Sequence, residues 1–164
     1  MRNGELDDVN PKLVIFLGGT NNVSGSSNVD DMTKGLTACV DEIHKKAPDA
    51  TLLIIGILPR QPNFQPTIDA INANLAKLAD GKKTRFVDLK SKMLDETGKL
   101  LPGMMNSDQL HPDTKGYQTI ADAIKPVLKE LLGEPKKEDQ APPPNWDPSA
   151  AGAPAVYPKP PKAN

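Results

Sequence analysis

Asp108-Gln109-Leu110-His111 places a carboxylate three residues ahead of an imidazole. A histidine acting as general base needs a second group to fix its tautomer and stabilise the imidazolium. Asp108 can fold back in a turn and accept from one ring nitrogen of His111, leaving the other to face a cleft. The alternative is a surface turn that contains Asp and His, with Asp113 capping the helix that follows. Far upstream, Gly18-Gly19-Thr20-Asn21-Asn22 closes the apolar run Leu13-Val14-Ile15-Phe16-Leu17. An amide such as Asn21 at a strand end can donate to a developing oxyanion. Gly19 lets the backbone pass close to a substrate and can add its own N–H. The plainer reading is a glycine turn in which Asn21 and Asn22 tolerate left-handed geometry. Neither G-x-G-x-x-G nor a Walker sequence occurs, so no phosphate-cradling loop is expected. His44 is the second of only two histidines, too few to suggest a zinc site. No metal and no cofactor are expected.

The elements around these residues alternate. Leu13–Leu17 reads as a strand buried on both faces of a parallel sheet. Val29, Met32, Leu36, Val40, Ile43 and Ala47 recur at helical spacing, and Pro48 ends that helix. Leu52 to Leu58 reads as a second buried strand closed by Pro59. Ile68, Ile71, Leu75 and Leu78 mark a second helix, capped near Gly81. Arg85 to Leu89 is a third strand, followed by a loop with Gly98, Pro102 and Gly103. Tyr117, Ile120, Ala121, Ile124, Leu128 and Leu131 mark a last helix, with a kink expected at Pro126. Strands alternating with helices imply right-handed crossovers and a parallel sheet covered on both sides. Ligands bind beyond the carboxyl ends of such strands, where Gly18–Asn22 sits and where the Asp108–His111 loop can reach.

Composition sets the limits. The 164 residues suffice for one domain with a core, and the 37% hydrophobic and 25% charged fractions suit a globular one. A net charge of −1 offers no basic surface to attract nucleic acid. The single cysteine, Cys39, excludes an internal disulfide and reads as a buried, inert thiol. No apolar run approaches the roughly 20 residues of a bilayer span. Met1 to Glu5 carries no signal core, which taken literally makes the chain cytoplasmic; a start further upstream leaves secretion open. Residues 1–133 read as the folded domain. Residues 134–164 carry nine prolines and read as a disordered, polyproline-type tail, in which Trp146 and Tyr157 are solvated or dock on a partner.

The segments LVIFLGGTNN, LLIIGILPR and SDQLHPDTKGY, in that order, resemble the SGNH or GDSL-type esterase family. The GTNN form looks most like its platelet-activating-factor acetylhydrolase branch. The match covers residue 2 to about residue 132. The resemblance implies a flavodoxin-like three-layer α/β/α sandwich with a parallel sheet. In the family a G-x-N-D or G-x-N-N block supplies oxyanion contacts, and it maps onto Gly19, Thr20, Asn21 and Asn22. The family's D-x-x-H block maps onto Asp108 and His111. Asn21 is thus implied as oxyanion donor, His111 as general base and Asp108 as its orienter, with a small acyl ester as substrate.

One family block has no match. The nucleophile belongs to a G-D-S block that precedes GTNN by tens of residues, and none of the 18 residues before Gly19 is serine. Arg2-Asn3-Gly4-Glu5-Leu6 looks like the middle of a helix. The expectation is therefore a family member lacking its N-terminal strands, with little or no turnover. Ser24, Ser26 and Ser27 read as a substrate-side loop, and Ser107 lies too near the base's own loop to be the nucleophile. Arg60 reads equally as a substrate contact or a solvated strand-end charge. Loss of the flanking strands would leave Leu13–Leu17 as a sticky edge prone to self-association. The second functional reading is a non-catalytic binding module using the residual cleft and the Pro-rich tail. A third, a flavodoxin-like nucleotide binder, leaves Asp108 and His111 unexplained.

Overall fold

Three short strands, β1 (Leu13–Phe16), β2 (Thr51–Ile55) and β3 (Thr84–Val87), form a parallel sheet in the order β1-β2-β3. Leu13 lies opposite Thr51, and Leu52 opposite Thr84. This computed structural model describes residue 4, residues 6–25 and residues 28–134. Central β2 is buried on both faces from Leu52 to Ile55, which is why its sequence is a continuous aliphatic run.

Between the strands lie α1 (Thr20–Val23), α2 (Val29–Lys46) and α3 (Gln65–Ala76); α4 (Lys90–Met93) and α5 (Thr114–Leu132) follow β3. Asn28 starts α2: its side chain accepts the Asp31 N–H at 2.8 Å. Asp30 and Asp31 occupy the first turn, and His44, Lys45 and Lys46 the last, so charge complements the helix dipole at both ends.

Two apolar clusters define the layers. On one face Leu36, Val40 and Ile43 of α2 and Ile68, Ile71 and Leu75 of α3 meet Leu52 and Ile54 of β2. On the other, Ile55, Leu58, Leu89, Met93 and Met104 pack against Ile120 and Ile124 of α5. The result is the three-layer α/β/α arrangement with a parallel sheet. No β1 side chain joins the second cluster. Ile15, pointing to that face, is accordingly 45% exposed, and Leu17 is 46% exposed.

The expected second strand, to Leu58, stops at Ile55, and beyond it the backbone packs closely on α3. A Cβ on Gly56 would lie 2.9 Å from the Asn72 amide nitrogen. Buried Asn72, reaching from α3, accepts the Ile57 N–H at 2.8 Å and donates to the Ile57 carbonyl at 3.0 Å. An amide side chain thus replaces a strand neighbour and fixes the path leading to Pro59 and Arg60.

Several expectations need correction. The segment 90–93, expected as loop, forms one helical turn, and the expected glycine turn at 20–23 is one turn of right-handed helix. Tyr117 is 61% exposed and Ala121 is exposed; the half-buried stripe of α5 runs through Ile120, Ala123, Ile124, Val127, Leu128 and Leu131. Pro126 sits within an uninterrupted α5. Helix is absent around Gly4–Leu6 among the described residues: Gly4 has φ of +86° and Leu6–Asp8 is a turn. Arg2, Asn3, Glu5, Ser26, Ser27 and the Pro-rich segment with Trp146 and Tyr157 lie outside the described residues. Among the described residues no helix is long and apolar enough to cross a membrane.

Candidate active site

The Asp108–His111 turn is built by its own backbone. Gln109 takes a left-handed φ of +53° and donates its N–H to the Asn106 carbonyl at 2.9 Å. Asn106 N–H in turn donates to the His111 carbonyl at 2.8 Å, and Met105 bridges to Pro112. Within this loop Asp108 Oδ1 accepts the N–H groups of Leu110 and His111, at 2.9 and 3.0 Å. Asp108 Oδ2 then accepts the His111 Nδ1–H at 2.7 Å. With Nδ1 committed as donor, neutral His111 carries its free lone pair on Nε2. Nε2 has no partner among the described residues, and the ring is 67% exposed.

These contacts also act on Asp108. The hydrogen bond from the His111 ring, and after it the His111 and Leu110 N–H groups, pull its carboxyl down to about 2. A carboxylate that stays ionised and grips Nδ1 leaves Nε2 able to take a proton. The helix capping expected of Asp113 is also present: its side chain accepts the Thr114 N–H at 2.7 Å and starts α5. The two carboxylates divide the work.

The loop is held against α5 by Gly116. A Cβ there would lie 2.0 Å from the Met104 carbonyl oxygen, so only glycine lets the helix seat against the loop. Met104 carbonyl also accepts the Asp113 N–H at 3.2 Å.

Gly19, Asn21 and Asn22 lie directly beyond the carboxyl end of β1. Gly19 adopts φ of +96°, and a Cβ there would press on Ile57 and Leu36 at 3.1 and 3.2 Å. Glycine is therefore required by backbone geometry and by packing at once. Its N–H donates to no backbone carbonyl among the described residues. Asn21 and Asn22 are exposed on α1. No hydrogen bond joins Asn21 to His111.

Arg60 links the two clusters. It is only 7% exposed. Its Nη1 donates to the Thr20 carbonyl at 3.1 Å and to Ser24 Oγ at 2.5 Å, gripping the α1 turn from both ends. Its guanidinium lies 4.6 Å above the Phe64 ring. The same side chain lines a cavity of about 430 Å³ together with Asn106 and Gln109 from the Asp108–His111 loop. The choice between substrate contact and solvated charge thus resolves against the solvated charge. Nothing in the order Pro-Arg distinguishes the two, because the groups that bury Arg60 come from other elements.

The remaining candidates lie elsewhere. His44 hydrogen-bonds Thr84 at 2.9 Å, between α2 and β3. Cys39 is half-buried rather than fully buried and lines a second cavity of about 340 Å³ beside Gly19 and Asn22. Ser24 is held by Arg60.

Residues 1–119 match the GDSL-like lipase/acylhydrolase family. Platelet-activating factor acetylhydrolase IB subunit alpha1 of Bos taurus is 28% identical over 152 residues, covering 90% of this chain and 64% of that protein. Its Rattus norvegicus counterpart is 30% identical over 138 residues, covering 82% and 58%. This chain thus spans about three fifths of the length of these curated relatives. A GDSL-like lipase from Bacteroides thetaiotaomicron has the same fold, with a TM-score of 0.62 at 23% identity over 73% of this chain and 63% of its own. An acetyl esterase variant crystallised with acetate ion aligns with a TM-score of 0.60 at 25% identity, over 74% and 59%.

Proposed function

We infer substrate class and mechanism from one premise: this chain belongs to the GDSL-like lipase/acylhydrolase family. The proposed chemistry is hydrolysis of small acyl esters, acetyl esters foremost. That choice is supported by the acetylhydrolase relatives and by the acetyl esterase that binds acetate. In this reading a serine hydroxyl attacks the ester carbonyl and His111 Nε2 takes its proton. Asp108 holds the imidazole and stabilises its charged form. The Asn21 amide and the Gly19 N–H donate to the oxyanion, with Asn22 beside them on the substrate face. His111 then returns the proton to the departing alkoxide, and water releases the acyl group by the same steps reversed.

The observation that carries the reading is the Asp108–His111 pair, with its 2.7 Å bond and its unpartnered Nε2. The attacking hydroxyl has no counterpart among the described residues: no serine bonds Nε2, and Ser24 is committed to Arg60. Residues 1–164 by themselves are therefore expected to turn over esters little above the imidazole background. That same observation favours the second reading, a binding module that uses the cleft without turnover.

A chromogenic acetate ester decides between these possibilities. The expected result is near-background hydrolysis, unchanged by Asn21→Ala. Robust hydrolysis abolished by His111→Ala would keep the esterase assignment and refute the missing hydroxyl. Robust hydrolysis indifferent to both His111→Ala and Asn21→Ala would remove the site assignment itself.

A further inference from the structure

Arg60 is a buried cation without a counter-ion. It is 7% exposed, and among the described residues no carboxylate pairs with it. Its hydrogen bonds go to a carbonyl and a hydroxyl through Nη1 alone, and its Nε is buried with no partner. Removing a guanidinium from water is costly unless an opposite charge compensates. Two neutral acceptors and the Phe64 face compensate only in part.

Of the carboxylates in the adjoining loops, Glu96 lines a different cavity, and Asp108 and Asp95 are already committed. Asp108 serves His111 and its own turn. Asp95 accepts from Thr97 and from the Lys99 N–H. The cavity that Arg60 lines contains a second cation, Lys99, and no acidic side chain. Asn106 and Gln109 add neutral polar groups to its wall, and Lys115, donating to the Pro102 carbonyl, stands close to Gly103 at the same rim. A water-accessible hollow of about 430 Å³, with a desolvated guanidinium and only positive charge, is complementary to an anion.

We propose that Arg60, with Lys99, binds an oxyanion group carried by the substrate, a carboxylate or a phosphate, in the cavity whose wall Arg60 and Lys99 share with Asn106 and Gln109. The Nη2 amino group, which makes no hydrogen bond among the described residues, and the Lys99 ammonium can donate to the charged oxygens of either group, a charge pairing that a neutral ester alcohol cannot offer. The placement makes Arg60 a specificity residue: it selects anionic esters over neutral ones in a cavity whose wall includes Asn106 and Gln109 of the loop that carries His111. The substrate assignment rests on the esterase reading; the anion site itself does not.

The test is therefore a binding measurement. Inorganic phosphate and, separately, acetate are titrated into the ¹⁵N-labelled chain against chloride at matched ionic strength, following the amides of Arg60, Asn106 and Gln109. Saturable shifts confined to these amides are expected. Phosphate binding above acetate assigns a phosphoryl group; the reverse assigns a carboxylate. Arg60→Gln should weaken binding by about tenfold or more, as the loss of a charge-assisted pair requires. Should Arg60→Gln fail to fold, Lys99→Gln, exposed at the rim, should weaken binding by about threefold with the fold intact. Shifts no larger than in chloride, or undiminished affinity in the variant that folds, would overturn the proposal. Either result leaves the ester assay to judge the esterase reading independently.

Discussion

At the scale of single residues, the chemistry rests on how firmly Asp108 holds His111. The ring hydrogen bond comes first among the contacts that lower the Asp108 carboxyl from 3.8 to about 2, and two backbone N–H groups follow. A depressed carboxyl binds its proton less readily in the folded chain than in the unfolded one. Its contribution to stability is therefore full above pH 3.8 and is lost as pH falls from there through about 2. A carboxyl ¹³C titration should place the Asp108 midpoint near 2. In His111→Ala the midpoint should rise part of the way toward 3.8, because the backbone donors remain. A midpoint that does not move on removing the imidazole would mean that the backbone alone holds the carboxylate. The pairing of Asp108 with His111 was legible because three-residue spacing is a local property that a single turn satisfies. Burial of Arg60 was not, because Thr20, Ser24 and the cavity wall lie some 36 to 49 residues away along the chain.

At the scale of elements, one glycine decides where the Asp108–His111 loop sits. Gly116 lies in the first turn of α5, facing the Met104 carbonyl. A methyl group there would meet backbone rather than a side chain able to swing aside. Gly116→Ala must push the helix away from the loop, breaking the Met104–Asp113 bond and loosening the second apolar cluster. Helix propensity favours alanine by about 1 kcal/mol, yet overpacking costs about 1–3 kcal/mol or more, so the net effect should be destabilising. Urea denaturation should show a lower midpoint at unchanged slope, with large shifts at the His111 amide. A more stable Gly116→Ala would mean that propensity outweighs the contact. Short continuous apolar runs located the first two strands and period-3.6 patterns the three long helices, since each buries apolar side chains; Arg85 to Leu89 completed the strand set. The helical pattern placed Tyr117 wrongly on the α5 stripe: it continues the stripe in sequence but is 61% exposed, while its neighbour Gly116 makes the close contact there. One-turn α1 and α4 bury too little to leave a pattern, and the Asn72 clamp on Ile57 has no local signature.

At the scale of the whole molecule, β1 is the weak edge. Among the described residues it has β2 on one side and no strand on the other. Its outer groups are unpaired backbone N–H and C=O, and the α4–α5 layer leaves Ile15 and Leu17 about half exposed. An apolar edge of this kind is a template for another strand, and Lys12 supplies charge only at its start. A net charge of −1 gives little repulsion between copies. Edge-to-edge pairing of β1 with a second copy is therefore proposed. Sedimentation velocity across a hundredfold range of concentration should show reversible self-association. Ile15→Lys places a charge on the uncovered face, where it costs little folding free energy because the side chain is already half in water. That variant should shift the population toward monomer while keeping the thermal transition. Apolar burial elsewhere gives a contrasting control: Val14→Lys, facing the first cluster, should lower stability instead. A chain that stays monomeric at every concentration and melts in one cooperative step would show that this edge is already satisfied within the single molecule.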